Sequence, residues 1–264
     1  MSGAAGSPGR PGAKGWPFRP AGEPPFIVAH RGGAGEAPEN TLEAFAAAVA
    51  AGVAAIELDV AALAGGGLVV THDEALAARG LAALHAVAPA APTLDEALSW
   101  FAGEAPGIVA HVDVKPLGCE AEVVAALRRH DLLGRALVSS THSASLRRFA
   151  QLEPALARAV GYPYDRHGVS GHPALAPVVT VALTGMRLAL PLRVGGLVSG
   201  AAAAVAALER RVVSAAAVRR CQALGVAVHV WTVDDPADAV RLAALGVDAI
   251  VSDRPRLLAA TLAP

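Results

Sequence analysis

The sequence predicts an α/β protein built as a TIM (βα)8 barrel with a β-hairpin extension after the second strand. Strand-like apolar segments alternate with helix-like segments, which is the pattern of a parallel sheet covered by helices. The length of 264 residues suits one large domain, and such barrels commonly fall in this range. The connection between the second and third strand-like segments is too short for a crossover helix, so these two segments are expected to form a hairpin.

Strand-like composition occurs in nine segments: 26–30, 54–60, 67–72, 108–115, 136–141, 156–161, 209–213, 226–233 and 248–252. Helix-like segments lie between most of them, at 41–51, 93–102, 119–130, 143–151, 214–224 and 236–245. Thr41 is expected to cap the first helix, with Glu43 in its first turn and Gly52 after its end.

The hairpin follows from the six residues AALAGG between segments 54–60 and 67–72. Parallel neighbours need a crossover of about a dozen residues or more, so these two segments are expected to be antiparallel. The turn is expected at Gly65–Gly67, and eight strands remain for the barrel. A turn centred near residues 65–66 brings His72 beside Asp59.

Two regions lie outside this regular pattern. Residues 1–25 are rich in Gly, Pro, Ala and Arg and are expected to form a disordered or loosely packed tail before a single domain at 26–264. The segment 162–207 has no clean period, so it contains unrecognised elements or a functional lid. Its apolar run 197–208 is too short to span a bilayer, and Arg187, Pro191 and Arg193 interrupt the apolar region before it.

Composition excludes several partner classes. The net charge of −1 provides no global field for nucleic acid or an anionic membrane, and no stable membrane insertion is expected. Cys119 and Cys221 suggest no disulfide framework, and no secretory signal is visible, so a cytoplasmic location is expected. The oligomeric state is left open.

Paired charged residues end two of the predicted strands. Glu57 and Asp59 are two residues apart and therefore point to one face of their strand. Packed carboxylates repel unless a cation lies between them, and a hard divalent ion such as Mg²⁺ or Ca²⁺ is the simplest one. The alternative is a pair of rim carboxylates bonded to arginine or backbone. Asp113 and Lys115 repeat this spacing. They are either a third metal ligand and a phosphate contact, or a salt bridge at the barrel rim.

Two histidines at strand ends add acid–base chemistry. His30, followed by Arg31, ends the first segment, and His72 ends the hairpin. Phosphodiester cleavage needs a proton donor for the leaving alkoxide and a base for the attacking oxygen, and histidine suits both. Arg31 can bridge two phosphate oxygens, while Lys115 acts as a point charge. No role is assigned to the other histidines: His85, His111, His130, His142, His167, His172 and His229.

Trp231 lies at the end of the seventh barrel strand. It is either a barrel-core aromatic or a wall against which a small polyol packs.

The chain resembles the glycerophosphodiester phosphodiesterase family over residues 26–115 and 212–257. The resemblance lies in AHRGGAGEAPENTLEAFAAAVAAGVAAIELDV, LVVTHD, HVDVK and GVAVHVWTVDDPADAVRLAALGVDAIVSDRP. Members of that family are TIM-barrel enzymes that use a divalent cation to hydrolyse glycerophosphodiesters to glycerol 3-phosphate and an alcohol. By matching motif, the resemblance implies metal ligands Glu57, Asp59 and Asp113, acid–base residues His30 and His72 in either order, and phosphate contacts Arg31 and Lys115.

Departures from the family bear on metal and substrate. The family usually has Glu where this chain has Asp113, which shortens the reach by roughly 1.5 Å. For Asp113 to reach the metal, the barrel must close slightly or a water must bridge the carboxylate and the ion. Otherwise the affinity for the metal falls. The R-T-T-type segment after HD is replaced by ALAARGLAALHAV. The alternatives are a phospholipase D-like activity on lysophospholipids, which an apolar lid at 162–207 favours, and a non-catalytic phosphodiester-binding barrel.

Overall fold

The computed structural model describes residues 15–164 and 175–263. Within these residues, one sheet contains nine strands: β1 (Phe26–Ala29), β2 (Ala55–Ala62), β3 (Leu68–Val70), β4 (Val109–Val114), β5 (Ala136–Ser140), β6 (Ala157–Tyr162), β7 (Val205–Glu209), β8 (Ala227–Trp231) and β9 (Ala249–Ser252). Strand β1 pairs in parallel with both β2 and β9, so eight parallel strands close into a barrel. The predicted TIM barrel is confirmed.

Helices return the chain between the barrel strands. The described residues form α1 (Leu42–Ala50), α2 (Glu74–Ala77), α3 (Leu81–His85), α4 (Leu94–Glu104), α5 (Glu120–Arg129), α6 (Ser143–Leu152), α7 (Ala176–Gly200), α8 (Ala215–Ala223), α9 (Pro236–Leu245) and α10 (Pro255–Leu262). Thr41 caps α1 as predicted, because its side chain accepts a hydrogen bond from the backbone N–H of Ala44.

The β2–β3 pair is the predicted antiparallel hairpin. Val60 pairs with Val70 and Ala62 with Leu68. Glycines 65, 66 and 67 all have positive φ, which the turn requires and glycine supplies without a steric cost. The backbone N–H of Thr71 donates to the carbonyl of Asp59 at 3.0 Å. His72 is therefore one residue beyond the position opposite Asp59.

The prediction of a strand at 209–213 is wrong, because β7 covers Val205–Glu209. Val212 and Val213 of the predicted segment are instead buried in the connection that leads to α8. The true strand, VAALE, is rich in alanine, a residue with low strand propensity. Its small side chains are accepted here because the strand is buried on both faces of the barrel wall.

The irregular segment 162–207 contains the longest helix of the described residues. Helix α7 runs unbroken through Arg187, Pro191 and Arg193, which interrupt the apolar sequence but not the helix. Among the described helices, it alone is long and apolar enough to cross a membrane, and only 17% of that stretch is buried. Part of this segment, together with His167 and His172, lies outside the described residues.

The N-terminal end of the barrel is closed by a segment that precedes β1. The Trp16 ring lies 5.4 Å from Phe26 and 5.0 Å from His229, measured between ring centroids. The backbone N–H of Arg19 donates to Asp248 at 3.0 Å. The division into a tail at 1–25 and a single domain at 26–264 stays a prediction, and residues 1–14 lie outside the described part.

Candidate active site

Three carboxylates meet at the C-terminal ends of neighbouring barrel strands. Glu57 and Asp59 lie on β2, and Asp113 lies on β4 in register with Asp59. Because alternate residues of a strand share a face, Glu57 and Asp59 point the same way. One oxygen from each of the three residues lies within 4.8 Å of the others. Glu57 and Asp59 are buried and Asp113 is partly buried, so the cluster is at the rim of the barrel interior.

Two cations contact this cluster directly. Nζ of Lys115 lies 2.7 Å from Asp59 and 2.5 Å from Asp113, and Nε of Arg31 lies 3.0 Å from Asp59. Burial alone raises the pKa of Asp59, but the charges of Lys115 and Arg31 outweigh it and hold that pKa at about 2. Burial lowers the pKa of Lys115, and Asp113 and Asp59 outweigh that effect, so the net pKa is raised.

The negative charge of the Glu57 carboxylate is less well compensated than that of Asp59. Its Oε2 accepts a hydrogen bond of 2.9 Å from the backbone N–H of Arg31. Burial, followed by the charge of Asp59, raises the pKa of Glu57 to about 7. Arg31 has φ 51° and ψ 32°, a left-handed conformation that turns its N–H toward Glu57 just after β1.

His30 is held by a carboxylate from the last barrel strand. Its Nδ1 lies 2.7 Å from Oδ1 of Asp253, which follows β9. A carboxylate only accepts, so Nδ1 carries the proton and Nε2 remains for the site. Burial lowers the pKa of His30, but the Asp253 hydrogen bond and the charge of Glu57 outweigh it, so the net pKa is raised.

His72 follows the end of the hairpin, close enough to the cluster for Asp59 to act on it electrostatically. Burial lowers its pKa, and Asp59, Arg31 and Lys115 also act on it electrostatically. With Asn40 it lines a cavity of about 500 Å³ whose other walls are mainly apolar. The structure thus brings together seven of the predicted site residues. They are His30, Arg31, Glu57, Asp59, His72, Asp113 and Lys115.

Sequence reasoning missed four supporting residues, although three lie in the quoted blocks. Asn40 donates to Oδ2 of Asp59 at 3.0 Å and accepts from the Asp59 backbone N–H at 3.2 Å. Glu39 binds the Arg31 guanidinium with both oxygens, at 3.0 and 2.9 Å. The PENT and SDRP blocks contain Glu39, Asn40 and Asp253, but no local pattern gave them a role. The fourth, Ser139, donates to Asp113 at 2.5 Å.

Trp231, His111 and His229 pack within the barrel. Trp231 is partly buried and packs against inward-facing side chains of the barrel, including Val28 and Ala207. His111 and His229 are buried in the barrel interior, where burial lowers their pKa to about 3 and about 4. Both therefore stay neutral near pH 7.

The acidic cluster fits a divalent cation. Oxygen ligands of one Ca²⁺ ion are 2.3–2.6 Å from it and therefore at most about 5 Å apart, the scale of the separations here. Oδ1 of Asp59 is buried and accepts no hydrogen bond of regular geometry, although Nζ of Lys115 lies 2.7 Å away. Asp113, despite its shorter side chain, reaches the cluster.

A closed βα barrel with an acidic cluster and a histidine pair at its C-terminal face defines a class of TIM-barrel hydrolase. A family model described as "Glycerophosphoryl diester phosphodiesterase family" matches residues 30–83 and 83–257. The chain belongs to this family, and it is a phosphodiesterase by class.

Several known proteins and solved structures resemble this chain. An uncharacterised Bacillus subtilis protein, YqiK, is 32% identical over 160 residues, which cover 51% of this chain and 65% of that protein. A glycerophosphodiester phosphodiesterase from Caldanaerobacter subterraneus is 26% identical over 88% of this chain and 96% of the relative. A putative glycerophosphoryl diester phosphodiesterase structure from Silicibacter pomeroyi matches with TM-score 0.74 and 25% identity, covering 92% and 95% of the two chains.

A second solved structure shares the fold. It is an Oleispira antarctica phosphodiesterase in complex with the product sn-glycerol-3-phosphate, with TM-score 0.68 and 24% identity over 90% of this chain and 96% of that one.

Proposed function

We propose that this chain hydrolyses glycerophosphodiesters to glycerol 3-phosphate and an alcohol, using one divalent cation, Mg²⁺ or Ca²⁺. The observation that carries the proposal is the convergence of the Glu57, Asp59 and Asp113 carboxylates beside His30. The family match supports the substrate class, and the product bound to the Oleispira phosphodiesterase supports the product.

Glu57, Asp59 and Asp113 would hold the cation. When bound, such an ion polarises a phosphoryl oxygen and lowers the pKa of the attacking hydroxyl or water. Lys115 uses two contacts on carboxylates and has a third N–H for a phosphate oxygen. Arg31 contacts carboxylates through Nε and Nη1, which leaves Nη2 for the same purpose.

His30 and His72 divide the acid and base roles. Since Asp253 engages Nδ1 of His30, Nε2 is the atom that exchanges the proton. The three ligands, Glu39, a divalent ion, Arg31 and Lys115 sum to zero, and Asp253 adds one negative charge beside His30. A protonated His30 balances the charge of Asp253, and the raised pKa of His30 favours that state.

The test is an assay of purified protein with glycerophosphocholine and Mg²⁺ or Ca²⁺, with glycerol 3-phosphate as the readout. Activity that is lost with EDTA, with His30→Ala and with Glu57→Gln supports the proposal. Glu209→Gln is the matched control, since Glu209 is a buried carboxylate at another strand end, paired with Arg211. Metal binding without turnover of any phosphodiester would support the non-catalytic binding barrel instead.

One observation favours a second candidate, a phospholipase D-like activity on lysophospholipids. The cavity beside His72 is lined by apolar side chains, among them Leu76, Leu84 and Val87. An acyl-bearing substrate could place its apolar part there. A higher kcat/KM for lysophosphatidylcholine than for glycerophosphocholine, reversed by Val87→Asp, would establish this candidate. Equal loss of both activities in Val87→Asp would exclude it.

Trp231 is proposed as a wall against which the glycerol moiety packs. If so, Trp231→Leu raises KM for glycerophosphocholine with little change in melting temperature. A lowered melting temperature with an unchanged KM would assign it to the core. The cytoplasmic location and the absence of nucleic-acid partners stay predictions.

A further inference from the structure

Helix α7 exposes an apolar surface that no other part of the described chain covers. At 1.5 Å per residue its 25 residues span about 37 Å, more than twice the length of the other barrel helices. One side packs on the protein through the buried side chains of Leu183, Leu190, Val194 and Val198. The opposite side carries Val178, Val181, Leu188 and Leu192, which are 65%, 74%, 76% and 92% exposed.

The outward side of α7 lacks the polar residues of an ordinary surface helix. The four exposed residues are three, seven and four positions apart, so they form one stripe along the helix. Between them on that face lie Ala182, Gly185 and Ala189, and no charged residue interrupts the stripe from 178 to 192. A helix in water normally exposes charged residues on this side. The stripe therefore requires an apolar partner.

The segment of sequence that contains α7 is basic, and this points to an anionic partner. Residues 143–224, which include α6, α7 and α8, contain ten arginines and three acidic residues, a net charge of +7. The rest of the chain has twelve basic and twenty acidic residues, a net charge of −8. The overall charge of −1 thus hides a strongly basic sector, and the sequence-based exclusion of an anionic surface does not hold for it.

The basic side chains flank the apolar stripe. Arg219 and Arg220 are exposed on α8, which packs against α7, and Arg193 is exposed on α7 itself. None of these three forms an ion pair within the described residues. On the other flank, Arg147 of α6 donates to the carbonyl of Gly200 at the end of α7 at 2.6 Å. The guanidinium groups of Arg193, Arg219 and Arg220 are therefore available to external anions.

We propose that α7 and its flanking arginines bind the surface of an anionic lipid bilayer. The apolar stripe enters the boundary between headgroups and acyl chains, while Arg193, Arg219 and Arg220 contact lipid phosphates. Because the other side of α7 is packed on the barrel, the helix lies along the bilayer and does not cross it. The binding surface excludes the catalytic residues, so it is independent of the proposed function.

The test measures co-sedimentation of the full chain with vesicles of phosphatidylcholine alone and of phosphatidylcholine mixed with phosphatidylglycerol. Wild-type protein is expected to bind only the anionic vesicles, and less well at high salt. Replacing Arg193, Arg219 and Arg220 with Gln is expected to weaken binding on the order of 100-fold, at about fivefold per arginine. Leu188→Gln combined with Leu192→Gln is expected to weaken it about tenfold or more.

Controls separate this surface from general effects. Arg128, Arg129 and Arg256 are exposed arginines outside the basic sector, and their replacement by Gln should leave vesicle binding unchanged. His30→Ala should still bind vesicles, whatever its activity. Equal binding to both vesicle types, or none by the wild type, overturns the proposal. A dimeric wild type would also overturn it if Leu188→Gln with Leu192→Gln made the protein monomeric and left vesicle binding unchanged. In that case a second copy of the chain would cover the stripe.

Discussion

His30 and Asp253 are 223 residues apart in the chain, and their side chains are joined at 2.7 Å between Nδ1 and Oδ1. The contact exists because β1 pairs with β9 and closes the barrel. It fixes the orientation of the His30 ring and supplies a negative charge next to it. The barrel closure therefore determines both the position and the acidity of a proposed catalytic group.

Replacing Asp253 with Asn should lower the pKa of His30. The protonated ring loses the partner that stabilises it, whereas burial, which favours the neutral form, remains. The proton is then released at lower pH, and the limb of the kcat/KM–pH profile that depends on His30 shifts to lower pH. Titration of the ring by NMR, assigned with His30→Gln, measures this directly. An unchanged or higher pKa would contradict the role given to Asp253.

Metal affinity should depend on pH through Glu57. The pKa of its carboxyl is raised to about 7 without a bound ion, so the group is largely protonated below that pH and must release a proton to become a ligand. Affinity for Ca²⁺ or Mg²⁺ is expected to fall about tenfold per pH unit below 7 and to level off above it. Calorimetry in two buffers of different ionisation enthalpy counts the released proton. No proton release at pH 6 would refute this.

Asn40 should be essential for the geometry of Asp59. Asn40→Ala removes both hydrogen bonds to Asp59 and is expected to reduce metal affinity about 10–100-fold and stability by about 1–3 kcal/mol. Asn40 also has φ 57°, which Ala tolerates poorly. Asn40→Gly is the control, because it removes the side chain without the backbone strain. If Asn40→Gly binds metal like the wild type, strain and not hydrogen bonding is the cause.

Gly32 should tolerate no side chain. A Cβ at this position would lie 2.7 Å from the Cβ of Ala44 and 2.9 Å from Phe45, and its φ is +83°. Gly32→Ala is expected to destabilise the protein by about 2 kcal/mol or more through strain and overpacking against α1. Gly66→Ala is the matched control, since φ is +100° there but nothing lies within 4 Å. Thermal unfolding should show a clearly smaller loss for the control.

The sequence was sufficient to predict the barrel and the cluster because both depend on local patterns. Glu57 and Asp59 share a face through strand alternation, and a six-residue connection placed His72 within one residue of its observed position. The supporting residues depend on contacts that local patterns do not encode. Asp253 reaches His30 only through the closure of the barrel, and Asn40 acts through a left-handed backbone conformation.

Strand β7 and helix α7 were not predicted from the sequence, for a different reason. Strand β7 is alanine-rich, so its propensity favours a helix, and burial on both sides overrides that preference. Helix α7 is apolar on all sides, so it has no amphipathic period by which it could be recognised.

Lys115 touches two of the three carboxylates that would bind the ion. This built-in counter-charge offsets part of the repulsion among the three carboxylates. A cation held by the same carboxylates would therefore compete with the Lys115 ammonium group for their oxygens.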